Sequence, residues 1–279
     1  MVDTRIPQDD FINKKYDRIE RTPPRYILLI CSTPRSGSTL LCDILFRNNA
    51  CIAHEYFHPS EYMSMLAERW GVQIDGEADF ASYVAKLRER RTFPNGWLGI
   101  NIQSEHLPIY LAAEPHLKDL EIHYVHLLRR DLIAQSVSYH IAEQTGQWSS
   151  KWEKRDNPTY DYNSIWNHLQ RITHGNVAIQ AFIRSRRVDA VTLYYEDLVK
   201  NTQFELCRLP CISTESPLQR AQLKRQTGVL NREIADRFAL ENLSKYSTFG
   251  VDGRAFQSTR GRIKRWAANN IPGYWRLSR

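Results

Sequence analysis

Four short apolar runs alternate along the chain with longer segments of helical periodicity. The runs cover residues 26–31, 97–102, 122–128 and 191–195, and each is rich in β-branched or aromatic side chains. Such runs predict strands. Strands that alternate with helices are typical of α/β proteins, in which helices cover both faces of a parallel sheet. The pattern therefore predicts an α/β fold with a central parallel sheet flanked by helices.

The longest helical segment has one apolar face at three- and four-residue spacings, which predicts a helix that packs on the core. That face consists of Ile165, Trp166, Leu169, Ile172, Ile179, Phe182 and Ile183. Two shorter helices are predicted over residues 60–70, SEYMSMLAERW, and 79–91, DFASYVAKLRERR.

Composition favours one folded domain. The chain has 279 residues, of which 42% are hydrophobic, and it contains neither an internal repeat nor a Pro/Gly-rich linker. We expect a single domain over 1–279, with an N-terminal arm at 1–24 and a basic, aromatic C-terminal segment at 245–279. Five cysteines without a CxxC pair predict reduced thiols and no zinc site.

Apolar runs are too short for a membrane span, and the charged N-terminus lacks the apolar centre of a signal peptide. A cytoplasmic protein is expected, and peripheral membrane contact is left open. The formal net charge of +7 favours anionic partners, but the basic residues are mixed with acids along most of the chain. Nucleic acid is therefore not the predicted partner. Seven basic residues within 254–279 indicate a local anion site instead.

The loop after the first predicted strand carries the first candidate chemistry. The sequence TPRSGSTLL, residues 33–41, contains glycine and small hydroxyl residues and leads directly into a helix. Backbone N–H groups and the helix dipole converge at such a junction, which suits phosphate. The Walker pattern is absent, because Ser32 replaces its first glycine and Ser38 its lysine. A plain capped helix start is the alternative.

A second unit of this kind is RRDLIAQSVSY, residues 129–139. Asp131 can cap the helix and Gly146 can end it. Ser138 lies seven residues after Asp131, on the same helix face about 10 Å along the axis. Arg129 and Ser138 can therefore meet at one phosphate, although a surface ion pair and a surface serine are the alternatives. Two anion sites suit a nucleoside with phosphates at both ends.

The order of these two units resembles the sulfotransferases that use 3′-phosphoadenosine 5′-phosphosulfate (PAPS). More narrowly, the segments HEYFHP, PNGWLGINI and LKRQTGVLNREIADRF, in the same order, are similar to the bacterial trehalose 2-sulfotransferases and the nodulation-factor sulfotransferases. The resemblance covers residues 26 to about 243.

The resemblance implies a P-loop-like three-layer fold, a homodimer and PAPS as co-substrate. It implies a first loop that binds the 5′-phosphosulfate through Arg35, Ser36, Gly37, Ser38 and Thr39. It implies further that Arg129 and Ser138 bind the 3′-phosphate and that Glu55 is the catalytic base. A C-terminal segment that closes over the nucleotide would include Arg260, Gly261 and Arg262. The acceptor is expected to be a hydroxyl of a sugar or glycolipid.

Sulfuryl transfer needs a base for the acceptor proton and positive charge near the departing phosphate. Glu55 and Arg35 can supply these without a metal ion. His54 and His58 flank Glu55 and are rival bases. A zinc site from these three residues is disfavoured, because Pro59 argues against a helix there. The family has a lysine where this chain has Asn101, which leaves the acceptor open.

Two other functions remain open from the sequence. A nucleotide kinase-like phosphoryl transferase is disfavoured by the missing Walker lysine. A non-catalytic module that binds a nucleotide or a partner on the same fold is the other alternative, and Asn101 keeps it open.

Overall fold

The computed structural model describes residues 6–19, 22–73, 77–213, 218–222 and 228–249. Within them, one parallel sheet has the strand order β2-β1-β3-β4. The strands are β1 Tyr26–Ser32, β2 Trp97–Gln103, β3 Glu121–Leu128 and β4 Val191–Tyr194. All four predicted strands are confirmed.

The helices of the described residues occupy the intervals between and after the strands. They are α1 Ser38–Arg47, α2 Ser64–Trp70, α3 Glu77–Arg91, α4 Leu107–Ala113, α5 Leu132–Thr145, α6 Tyr162–Arg186, α7 Tyr195–Lys200, α8 Thr202–Leu206 and α9 Val229–Phe249. The predicted long helix lies within α6. The helix predicted over 60–70 begins with a π-helical turn, Pro59–Met63, before α2.

Alternation along β1 creates a core on each face of the sheet, as a two-residue side-chain period requires. Ile27 and Leu29 face a cluster that includes residues of α3, α4 and α6. Leu28 and Ile30 face a second cluster with residues of α1, α7 and α8. This three-layer arrangement confirms the predicted α/β fold class.

The described part of the N-terminal arm packs on the core through a buried arginine. The Arg91 side chain has no exposed surface, and its guanidinium donates to the backbone carbonyls of Phe11 and Ile12. Asp17 Oδ1 lies 2.7 Å from Arg91 Nη2 and balances its charge. A buried arginine needs such partners, because an unpaired buried charge is strongly destabilising. Arg91 thereby fixes residues 11 and 12 of the arm to the core.

The sheet order decides which loops meet. The central strand β1 pairs with β2 on one side and with β3 on the other, all in parallel. The loops that follow these three strands therefore leave the same edge of the sheet, where parallel α/β folds bind their ligands. Among the described residues, no helix is long and apolar enough to cross a membrane.

Candidate active site

A cleft of about 930 Å³ opens at the carboxyl edge of the sheet. It is lined by seven of the predicted site residues: Arg35, Gly37, Ser38, Thr39, Glu55, Arg129 and Ser138. Ser36 is fully buried and does not line the cleft, so its predicted contact stays a prediction. Arg260, Gly261 and Arg262 lie outside the described residues.

The loop between β1 and α1 has an unusual backbone. Arg35 has φ 64° and Gly37 has φ 96°, both in the left-handed region. A Cβ atom on Gly37 would lie 2.5 Å from Cδ2 of Tyr195, so the position excludes any larger residue. Left-handed residues in such a loop turn successive N–H groups toward one point, and helix α1 begins at Ser38. The loop has the form of an anion site.

Arg35 links the two predicted anion sites. Its Nε donates to Ser138 Oγ at 3.1 Å, and its Nη1 donates to the backbone carbonyl of Trp148. Burial, together with the neighbouring Arg129 guanidinium, lowers the pKa of Arg35 to about 10, so Arg35 stays charged at neutral pH. Repulsion between two close guanidinium groups is relieved when an anion binds between them.

Arg129 and Arg130 are adjacent in sequence but differ in surroundings. The Arg129 guanidinium lies 5.0 Å from the centre of the Tyr195 ring and lines the cleft. Arg130 instead forms two hydrogen bonds with Asp197, at 2.5 and 2.8 Å, on the surface. Arg129 therefore lies at the cleft and Arg130 in a surface ion pair, while phosphate binding by Arg129 stays a prediction.

Glu55 lies in a polar pocket beside the end of β2. Its Oε1 accepts from Gln103 Nε2 at 2.7 Å and from Asn101 Nδ2 at 3.4 Å. Its Oε2 lies 3.9 Å from His106 Nε2, which is too long for a hydrogen bond. Burial raises the pKa of Glu55, although His54, His58 and the Gln103 hydrogen bond oppose the shift. A raised pKa makes the carboxylate a stronger base.

His54, the rival base, has neither ring nitrogen open to a substrate. Its Nε2 lies 3.0 Å from Asp10 Oδ1, and its Nδ1 is buried without a hydrogen-bond partner among the described residues. Burial opposes ionisation of Asp10, but His54 and the Ile12 N–H outweigh it and lower the pKa of Asp10. The arm residue Asp10 thus occupies Nε2 of the His54 ring, which favours Glu55 as the candidate base.

Among the described residues, Glu55, His58 and His106 form one group whose ligand atoms lie within 4.8 Å of one another, as a metal site requires. His106 Nδ1 accepts the Gln103 backbone N–H at 3.1 Å, which leaves the proton on Nε2. A metal-binding histidine needs the opposite arrangement, with its second nitrogen donating. Burial lowers the pKa of His106 to about 3, so the ring stays neutral. Neutrality alone would permit metal binding, so the objection is the proton on Nε2. The donor set does not suit a metal ion.

Four residues of this site had no role assigned from the sequence: Asp10, Gln103, His106 and Tyr195. Gln103 ends β2 and His106 follows three residues later, at the edge where the anion loop also lies. Their position at a strand's carboxyl end was the available signal. No comparable signal marked Asp10, because its contact with His54 spans a long stretch of sequence.

The fold and cleft define a class: α/β proteins with an arginine-lined cleft at the carboxyl edge of a parallel sheet. Comparison with known proteins narrows this class. The sequence model of the Stf0 sulphotransferase family matches residues 26–241, so the chain belongs to that family and is a sulfotransferase enzyme. The match decides against the kinase-like and the non-catalytic alternatives.

A curated relative is the trehalose 2-sulfotransferase of Mycobacterium tuberculosis (strain ATCC 35801 / TMC 107 / Erdman). It is 26% identical over 252 residues, covering 76% of this chain and 94% of the relative. Among solved structures, the sulfotransferase domain of the Synechococcus PCC 7002 olefin synthase matches with a TM-score of 0.38 and 18% identity. That match covers 81% of this chain and 98% of the domain.

Proposed function

We propose that this sulfotransferase moves the sulfuryl group of PAPS to a hydroxyl of a carbohydrate or glycolipid by in-line displacement. The observation that carries the proposal is one cleft lined both by two close arginines and by a desolvated carboxylate. The arginines suit the two phosphate-bearing ends of the donor. The carboxylate suits the acceptor hydroxyl.

Donor binding uses the two βα units. The loop of residues 33–37 and the first turn of α1 hold the 5′-phosphosulfate, with Arg35, Ser38 and Thr39 as side-chain donors. Arg129 and Ser138 hold the 3′-phosphate. By the family resemblance, a C-terminal segment with Arg260, Gly261 and Arg262 completes this site, and the protein forms a homodimer. The cytoplasmic location expected from the sequence is proposed as well.

The transfer step then balances without a metal ion. The acceptor oxygen forms a bond to sulfur as the bond from sulfur to the 5′-phosphate oxygen breaks. Glu55 Oε2 takes the acceptor proton, because Oε1 is already held by two amides. The negative charge that develops on the departing phosphate is stabilised by Arg35 and the loop N–H groups. The products are the sulfate ester and 3′-phosphoadenosine 5′-phosphate.

The acceptor class rests on the curated relative's name and on the cleft wall. Tyr139, Trp148 and Trp152 line the cleft, and the Trp148 carbonyl accepts a hydrogen bond from Arg35. Rings of this kind can stack on sugars. Asn101 stands where relatives have a lysine, so the acceptor need not be trehalose.

The test is a transfer assay with radiolabelled PAPS and a panel of acceptors: trehalose, other disaccharides, glycolipids and phenols. Transfer to a sugar hydroxyl without added metal, and unaffected by chelator, is the expected result. Transfer to phenols alone would overturn the acceptor class. Turnover of a different donor with PAPS inert would overturn the donor.

A further inference from the structure

A buried glutamine on α5 contacts the anion loop without lining the cleft. Gln135 has no exposed surface. Its Nε2 donates to Thr33 Oγ1 at 3.0 Å and to the Pro34 carbonyl at 2.7 Å. The Thr33 hydroxyl donates in turn to Asn176 Oδ1 of α6 at 3.1 Å. The loop is thereby joined to two helices from behind.

Packing alone does not explain an amide at this position. Gln135 Oε1 is buried and has no hydrogen-bond partner in the described part of the chain. An unsatisfied buried acceptor destabilises the fold, and an apolar side chain of similar size would avoid that penalty. The two donor bonds to the loop are therefore the distinctive contribution of this residue.

The loop needs support at this point. Arg35, which follows Pro34 directly, has the left-handed φ of 64° that costs free energy in a residue other than glycine. Its side chain is held by Ser138, three residues after Gln135 on the same helix. Helix α5 thus binds two consecutive residues of the loop, Pro34 through Gln135 and Arg35 through Ser138.

We propose that Gln135 is a positioning residue that holds loop 33–37 in its anion-binding conformation and ties it to the helix that carries Ser138. The two anion sites are then held as one unit, so the loop is set before the donor binds. The effect on substrate rests on the proposed donor, whereas the effect on the loop does not.

Three measurements on Gln135→Met test this. Calorimetric titration with 3′-phosphoadenosine 5′-phosphate should show about tenfold weaker binding, because misplaced donors lose both contact and orientation. In transfer assays, KM for the donor should rise while KM for the acceptor stays unchanged. Hydrogen exchange of the ligand-free protein should be faster at residues 35–39 than in the native protein.

Ser136→Ala is the matched control. Ser136 is also fully buried on α5, but its hydroxyl returns to the Leu132 carbonyl and does not contact the loop. It should lose a comparable hydrogen bond with neither nucleotide affinity nor loop exchange changed.

Thr33→Val removes the hydrogen bond between Gln135 and Thr33 from the loop side. This variant is used if Gln135→Met does not fold. The losses of nucleotide affinity in the two single variants should add up to more than the loss in the double variant, because both single variants remove the Gln135–Thr33 hydrogen bond.

Native affinity and native loop exchange in both variants would overturn the positioning role. Faster loop exchange in a protein that does not bind 3′-phosphoadenosine 5′-phosphate would support the positioning role and contradict the proposed donor instead.

Discussion

The two ends of the cleft are built in different ways. At the cationic end, Arg35 and Arg129 lie in βα units whose strands are neighbours in the sheet, and the loop that carries Arg35 has two left-handed residues. At the carboxylate end, Glu55 lies in a loop and is oriented by neutral amides of Asn101 and Gln103. The first end relies on fixed charge and the second on desolvation.

Burial acts on both ends with useful results. It lowers the pKa of Arg35 only to about 10, so the cation survives at neutral pH. It raises the pKa of Glu55, so the same loss of contact with water strengthens the base. One cleft can thus keep a cation charged and make a carboxylate reactive. Neutral amides suit this purpose, because a cation beside Glu55 would lower its pKa again.

Glu55→Gln should have the largest effect. Loss of the base should lower kcat by about 10²- to 10⁴-fold, while the affinity for 3′-phosphoadenosine 5′-phosphate stays native. Glu105→Gln is the control, since Glu105 lines the same cleft but pairs with Arg171 at 2.6 Å. Equal losses of kcat in both variants would remove the distinction between Glu55 and other cleft carboxylates.

Arg129→Ala should have the next largest effect, on binding. A lost charge-assisted contact of about 1.5–3 kcal/mol weakens binding of 3′-phosphoadenosine 5′-phosphate roughly ten- to hundredfold. Binding of adenosine 5′-phosphate, which lacks the 3′-phosphate, should change little. Arg130→Ala, one residue away on the surface, is the control. Calorimetry that finds the larger loss in Arg130→Ala would contradict the placement of the 3′-phosphate.

The pH dependence of kcat should shift by a smaller amount. Protonation of Glu55 abolishes the base, so the rate falls as pH falls through its pKa, and this acidic limb should lie above pH 4.5, the ordinary value. In Asn101→Lys, a cation near Oε1 favours the carboxylate and should move the limb to lower pH. Fixed-time assays of the native protein and of Asn101→Lys across pH 4 to 9, roughly the range in which carboxyl and imidazole groups titrate, measure the acidic limb of each. A limb that moves upward in Asn101→Lys would argue against Glu55 as the titrating group.

Stability should change least. Because the folded pKa of Glu55 lies above its unfolded value, its ionisation opposes folding above the folded pKa and has no effect below pH 4.5. Glu55→Gln should therefore melt at the same or a higher temperature than the native protein at pH 8. That difference should vanish at acidic pH. A lower melting temperature at pH 8 alone would show that the carboxylate is stabilising and its pKa is not raised.

The sequence predicted the cationic end better than the carboxylate end. The four strands, the Asp131 cap of α5 and the Gly146 end of that helix are confirmed. Each depends on local patterns that short-range physics determines. The two anion units were predicted on neighbouring βα elements, and β1 and β3 are neighbours in the sheet.

The carboxylate end depends on contacts that no local pattern encodes. Asp10 reaches His54 only because buried Arg91 holds the arm against the core. Gln103 and His106 reach Glu55 because the segment before it lies along β2, where Asn101 N donates to the His54 carbonyl at 2.9 Å. The burial and hydrogen bonds of Glu55 and the tautomer of His106 follow from that packing. They could therefore not be derived from the motif HEYFHP.

Calorimetric titration of the native protein with 3′-phosphoadenosine 5′-phosphate, adenosine 5′-phosphate and Mg²⁺-ATP comes first. We predict that the 3′,5′-bisphosphate binds in the micromolar range, that loss of its 3′-phosphate weakens binding strongly, and that Mg²⁺ has no effect. Preferential binding of Mg²⁺-ATP, or equal binding with and without the 3′-phosphate, would contradict a cleft whose two arginines receive the two ends of the donor.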